Sequence, residues 1–366
     1  MAWSLGESRW RTVVLGLAAA LALGSVGCGA SEGLGVSIGG SPWDSPDMSS
    51  VYWMAAAAGA DLVIVSTPEG DEPIEAPSAA IRTPDGSIRP LPPVPLRGML
   101  RITSVGDSVA VGGIECTNDA CDESVLAFSL LAEDRASWRR LDVPETVLGG
   151  EVEINTPQVG RHAYGLFVIG GGVYSVAPSG QVSTPPKRPF PSTETGFSCA
   201  AGDTSVAVQG RSVPGSELGG LISVMELVGD TQVRQLGAPE AGWRSLGPVP
   251  PGFRTQYSEL CLPDQFSFHD GTRELVLDIG SGQWSERSSN LTELLGNPIF
   301  IFGPTGVASS VDGSINYLLH NGQILAQEPS GTWTPTERMA RELYSTSDAV
   351  LAYDGSTNTF TEVSPG

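Results

Sequence analysis

The chain has 366 residues, 40% of them hydrophobic and 17% charged, with 46 glycines and 28 prolines. That composition excludes a long coiled coil, which needs far more Glu, Lys and Arg, and a disordered chain, which could not carry so many apolar side chains. A formal net charge of −21 excludes a protein that grips a nucleic-acid backbone through clustered Lys and Arg, and Lys187 is the only lysine.

In residues 1–11, Arg9 and Arg11 precede an apolar run at 12–23 (TVVLGLAAALAL), and small residues follow (GSVGCGA). This is the three-part pattern of a secretory signal, and the apolar run is shorter than the roughly 20 residues of a membrane-spanning helix. No two arginines are adjacent, which points to the general secretion route. Ser25-Val26-Gly27-Cys28 resembles the lipobox of bacterial lipoproteins, with Ser25 where leucine is usual. The resemblance implies a signal peptide over 1–27, a diacylglyceryl group on the Cys28 sulfur and a palmitoyl-type chain on its new amino group. Two or three acyl chains anchor stably in a bilayer. The expected location is the extracytoplasmic side of a bacterial cell envelope. Plain secretion with cleavage after Ala30 is the alternative.

There are five cysteines. With Cys28 given to lipid, four remain, enough for two disulfides in an oxidising compartment. Cys116 and Cys121 would close a short loop, and Cys199 and Cys261 would join neighbouring repeat units. No CxxC motif is present to suggest zinc.

Residues 28–50 are rich in Gly, Ser and Pro and read as a tether, in which Leu34 to Ile38 could form a short strand. From Val51 to Gly366, short runs of Val, Ile, Tyr and Phe alternate with polar residues and are punctuated by Gly, Asp, Asn, Ser and Pro. That is an all-β reading, with one possible helical turn at Leu291 to Leu295. A small-residue strand followed by a Gly-Asp or Ser-Asp turn recurs at 58–66, 104–113, 200–210 and 345–355. Downstream of each lies a second hairpin, marked by Arg89, Trp138, Val182, Arg234, Trp284 and Trp333 at spacings of 49, 44, 52, 50 and 49 residues. A period near 49 with about four strands per unit is the signature of a β-propeller blade.

The segments LVLDIGSGQWSERS (275–288) and LAYDGSTNTFTEV (351–363) resemble the strand–turn–strand endings of kelch-like propellers, and Gly112-Gly113 resembles their glycine pair. The resemblance implies a propeller over 51–366. Six units end at the markers; residues 338–366 supply three more strands, and 34–38 would complete a seventh blade by pairing N- and C-terminal strands. Six blades, or two β-sandwiches, are the alternatives.

The chemistry-bearing motifs are few. His269 and His320 precede Asp-Gly and Asn-Gly turns and His162 opens an apolar run, so all three read as surface or strand-end residues. HExxH, GxSxG, GxGxxG and the Walker pattern are absent, and no metal or cofactor is expected. CTNDACDES (116–124) carries Asp119, Asp122 and Glu123 without the full ligand set of a calcium loop. SSVDGSINY (309–317) resembles the Asp-box of sialidase-like propellers in part and reads as an Asp-Gly hairpin. The Pro/Gly-rich stretch 240–254 interrupts the repeat and carries Trp243, Arg244 and Arg254, side-chain types suited to a binding loop. The expectation is a membrane-anchored binding or scaffold module for an envelope protein or glycan, with no catalytic residues. The alternative is a glycan- or ester-acting enzyme with carboxylates in its axial funnel.

Overall fold

The computed structural model describes residues 51–68, 77–96, 100–116, 124–143, 147–148, 154–155, 163–169, 172–183, 190, 195–214, 224–238, 242–255, 259–262, 264–270, 272–295, 306–328, 330–357 and 359–363. They form seven antiparallel sheets, each a meander in chain order. Blade 1 is β1 (Val51–Ala58), β2 (Asp61–Pro68), β3 (Ser78–Arg82) and β4 (Ile88–Leu91). Blade 2 is β5 (Leu100–Val105), β6 (Ser108–Cys116), β7 (Ser124–Leu131) and β8 (Trp138–Arg140), with β9 (Val147–Leu148) also on β7. Blade 3 is β10 (Ile154–Asn155), β11 (Gly165–Ile169), β12 (Gly172–Val176) and β13 (Val182–Ser183). Blade 4 is β14 (Thr195–Ala201), β15 (Thr204–Ser212), β16 (Met225–Gln235) and β17 (Arg244–Pro248), with β18 (Arg254–Thr255) also on β16. Blade 5 is β19 (Leu260–Cys261), β20 (Gln265–His269), β21 (Arg273–Asp278) and β22 (Gln283–Ser288). The short helix α1 (Leu291–Leu295) leads to blade 6: β23 (Gly306–Ser309), β24 (Asn316–His320), β25 (Gln323–Gln327) and β26 (Trp333–Met339). Blade 7 has three described strands, β27 (Glu342–Ser345), β28 (Val350–Asp354) and β29 (Thr359–Glu362). The chain is a seven-bladed β-propeller. The closing strand expected at 34–38 lies outside the described residues.

The central strands of each blade are covered on both faces, so they are buried almost continuously; Glu274–Leu277 and Asn316–Leu319 are examples. The apolar core accordingly divides into seven clusters, one in each seam between neighbouring blades. First strands of successive blades approach one another, as in β1 with β5, β14 with β19 and β23 with β27. Crowding there selects small side chains, as in Ala55–Ala58. Gly112, in the glycine pair of β6, answers the same pressure: a Cβ there would lie 2.7 Å from Phe128 and 2.8 Å from Phe167 in the seam of blades 2 and 3.

Ring closure is made by blade 7 on blade 1. Leu351 packs with Leu62, Ile64 and Ala80, Ser347 N donates to Gly59 O at 2.9 Å, and the Arg82 guanidinium lies 5.6 Å from the Phe360 ring centroid. One covalent tie spans a seam: Cys199 in β14 is bonded to Cys261 in β19, with Cα atoms 5.3 Å apart.

The marker tryptophans sit in fourth strands and lean on the preceding blade. Trp138 Nε1 donates to Pro92 O at 2.8 Å, and Trp284 Nε1 to Thr231 Oγ1 at 3.0 Å. Trp333 is fully buried among Leu260, Leu262, Leu318 and Leu325, and its backbone is clasped by Asn290 on both sides at 2.8 Å. Blade 4 corrects the register. Arg234 belongs to the third strand, because Gly229-Asp230 is not a hairpin turn. Gly229 adopts φ +72°, and the pairing with β15 skips from Gln232 to Val228, so the pair forms a bulge inside one long strand. The fourth strand is displaced to Arg244–Pro248.

Candidate functional site

The displaced fourth strand shapes a cleft of about 470 Å³ between blades 4 and 5. Its floor is Val233, Leu246 and Ile279. Its rim carries Arg244, Gln235, Thr204, Asp203, Asp264 and Ser281. Strand alternation explains the set: Val233 and Gln235 on β16, and Arg244 and Leu246 on β17, point to one face, and Val233 pairs with Arg244. Burial pushes the Asp264 carboxyl above its ordinary range, and the neighbouring Asp278 adds to the shift. Asp278 itself is held low by the hydroxyl and backbone N–H of Ser281, at 2.7 and 2.6 Å. The rim thus offers a guanidinium, an amide, hydroxyls and carboxylates of unequal acidity around an apolar base.

The three residues of the expected binding loop are not brought together. Arg244 lines the cleft. Trp243, one position earlier in an extended chain, points to the other face of blade 4, where its ring centroid lies 5.2 Å from the Arg234 guanidinium carbon. Continuing the β16–β17 pairing by one residue places Trp243 opposite Arg234, close to the register in which Trp284 opposes Leu277. Arg254 is paired with Glu226 at the far end of β16, roughly 20 Å along the strand from Arg244. Glu226 is also bonded to Arg211 at 2.8 Å, and its carboxyl is held low by Arg211 first and by Arg254 after it. The connections between β2 and β3, β6 and β7, and β15 and β16 each join a second strand to a third, so strand order puts their ends on the same rim, while most of their length lies outside the described residues.

A second polar constellation escaped the sequence reading. His269, Glu274 and Arg287 are cross-strand neighbours on β20, β21 and β22. His269 is 1% exposed and Glu274 fully buried, which corrects the surface reading of His269. Arg287 Nε donates to Glu274 Oε2 at 2.7 Å, Gln327 Nε2 donates to the same oxygen at 3.1 Å, and His269 Nε2 lies 3.6 Å from Oε1. The chain of bonds continues across blade 6, from Asn316 Nδ2 to Gln327 Oε1 at 3.0 Å and from Ser309 Oγ to Asn316 Oδ1 at 2.7 Å. Burial pushes the His269 imidazole below its ordinary value, against the pull of Glu274. The network joins blade 5 to blade 6 through the Gln327–Glu274 bond, with Arg287 at its partly exposed edge.

Two carboxyls on first strands are also raised by burial, Glu259 beside β19 and Glu342 on β27. They lie two blades apart, and Glu342 is occupied by the Tyr344 hydroxyl. Among the described residues no three His, Cys, Asp or Glu side chains form a metal-binding group. The 309–317 segment is a hairpin whose Asp312 accepts from Ser310 Oγ, Ser314 Oγ and Ser314 N, which pull its carboxyl down to about 2. Cys28, Cys121, His162 and the acidic segment 117–123 lie outside the described residues, and Cys116 ends β6.

No protein-family model matches the chain. No curated protein sequence matches it either. Among solved structures, similarity extends to a puromycin hydrolase (TM-score 0.43, 13% identity), covering 84% of this chain and 52% of that one. It also extends to the β-propeller domain of the Trilobed protease from Pyrococcus furiosus (0.38, 10% identity, 86% and 98%) and to Kuenenia stuttgartiensis hydrazine synthase (0.44, 11% identity, 85% and 94%). The chain spans about half the length of the puromycin hydrolase. These are likenesses of fold, and the seven-bladed assignment rests on the chain's own strand pairing.

Proposed function

We propose that the chain is an exported, lipid-anchored propeller that binds a polar envelope partner, a protein segment or a glycan, in the cleft between blades 4 and 5. The observation that carries this reading is the cleft itself. A cavity of about 470 Å³ in which three apolar side chains are ringed by polar and charged groups has the size of a ligand pocket and the polarity that suits a polar ligand. Affinity capture from envelope extracts, alongside a panel of immobilised glycans, tests it. Arg244→Ala should lose at least 10-fold in partner affinity with little change in unfolding temperature, because Arg244 is exposed. Equal capture by the variant would sink the cleft assignment. The anchor rests on Cys28: Cys28→Ala should leave the membrane fraction and lose labelling by an alkyne fatty acid, and retained acylation would refute it.

The enzymatic reading is favoured by one observation, the raised carboxyl of Asp264 beside Asp278 at the cleft, a pairing of unequal carboxyls of the kind that supplies a general acid. On this reading the chemistry would lie between blades rather than in the axial funnel. Glycan turnover abolished by Asp264→Asn would establish it; binding without turnover leaves the module reading in place.

A further inference from the structure

On the face of blade 4 away from the cleft, Arg234 is 3% exposed in the seam with blade 3. Its Nε is buried without a hydrogen-bond partner, and so is Nε1 of Trp243, the indole that stacks on it at 5.2 Å. Among the described residues no carboxylate pairs with Arg234, and burial alone shifts its guanidinium downward. A guanidinium does not shed its proton in a protein, and an ionised group taken out of water without a counter-charge is strongly unfavourable. Stacking on an indole offsets only part of that. Two orphaned donors therefore belong to one stacked pair, and neither has an acceptor among the described residues. The flanking apolar cluster is small, Leu166, Ala200 and Leu236 with Tyr164, and Trp243 is only half-buried, so part of the indole that covers Arg234 faces solvent.

We propose that Arg234 and Trp243 form a binding site for a carboxylate, which accepts from the guanidinium and the indole N–H and neutralises the buried charge. A carboxylate fits better than a phosphate: one guanidinium balances a monoanion, whereas a phosphate dianion would leave net negative charge in the seam of a protein already at −21. The carboxylate can belong to an acidic sugar or to the end of a polypeptide. The site lies on the opposite face of blade 4 from the cleft and stands independently of it.

The test is calorimetric titration of the full chain with D-glucuronate, an N-acetylated dipeptide with a free carboxyl, D-glucose and inorganic phosphate, together with thermal unfolding. At least one of the two carboxylates should saturate, and which one does identifies the source; glucose should not bind, and phosphate should bind more weakly. Arg234→Met should lose at least 10-fold in affinity, and Trp243→Phe should weaken binding about 3-fold or more. Without ligand, Arg234→Met should unfold at a higher temperature than wild type, because an uncompensated charge is replaced at similar volume. No saturation by either carboxylate, tighter binding of phosphate, wild-type affinity in Arg234→Met, or a lower unfolding temperature for that variant would each overturn the proposal.

Discussion

His269 couples folding to pH. Its imidazole is buried and held below the ordinary value of 6.5, so the unfolded chain binds a proton more readily than the folded one. Stability from this residue is complete above pH 6.5 and is lost as pH falls below it, by at most about 1.4 kcal/mol per pH unit. Denaturant unfolding between pH 8 and 5 should show this slope in wild type and a flatter one in His269→Gln. The residue was misread from sequence because the Asp270-Gly271 turn that follows it suggests a surface position. A central propeller strand is covered on both faces, however, and the histidine at its end is covered with it. The Glu274–Arg287–Gln327 contacts were illegible for a related reason. They join residues 13 and 53 positions apart, and nothing local marks them.

At the scale of the strand, the recurring tryptophan was legible because it repeats in one register and meets the preceding blade each time. Trp333 is fully buried whereas Trp138 and Trp284 are half-buried, so the three should not be equivalent energetically. Trp333→Ala should cost about 3–5 kcal/mol, and the other two less, in thermal or urea unfolding. A smaller loss at Trp333 than at Trp284 would contradict the wedge assignment. Blade 4 shows where pattern reading stops. Gly-Asp is a hairpin signal in most of this chain, yet at Gly229-Asp230 the same dipeptide makes a bulge, and the strand runs through it for 11 residues. Which outcome occurs depends on whether the partner strand continues, and β15 does. The displacement of the fourth strand that results opens the cleft beside Arg244, so the candidate site arises where the repeat is least regular.

For the whole molecule, the period near 49 residues carried the architecture, since seven units of one length close a ring with an apolar seam at every junction. The site was only partly legible. Alternation places Trp243 and Arg244 on opposite faces of blade 4, and that could be known only once β17 had been located. The Cys199–Cys261 bond joins blades 4 and 5 across 62 residues of sequence. Replacing both cysteines by Ser should cost on the order of 2–5 kcal/mol, and an unchanged unfolding midpoint would argue that the bond contributes nothing to stability.

The same bond limits how the ring can be pulled apart. Tension applied through the ends of the chain can straighten the blades outside the bridge one after another, but the segment enclosed by Cys199 and Cys261 stays shielded from load while the sulfurs are joined. At about 3.5 Å per extended residue, those 62 residues withhold about 20 nm of contour length. A force-extension trace should lengthen by that amount when a reductant is added, in a step that belongs to blade 4.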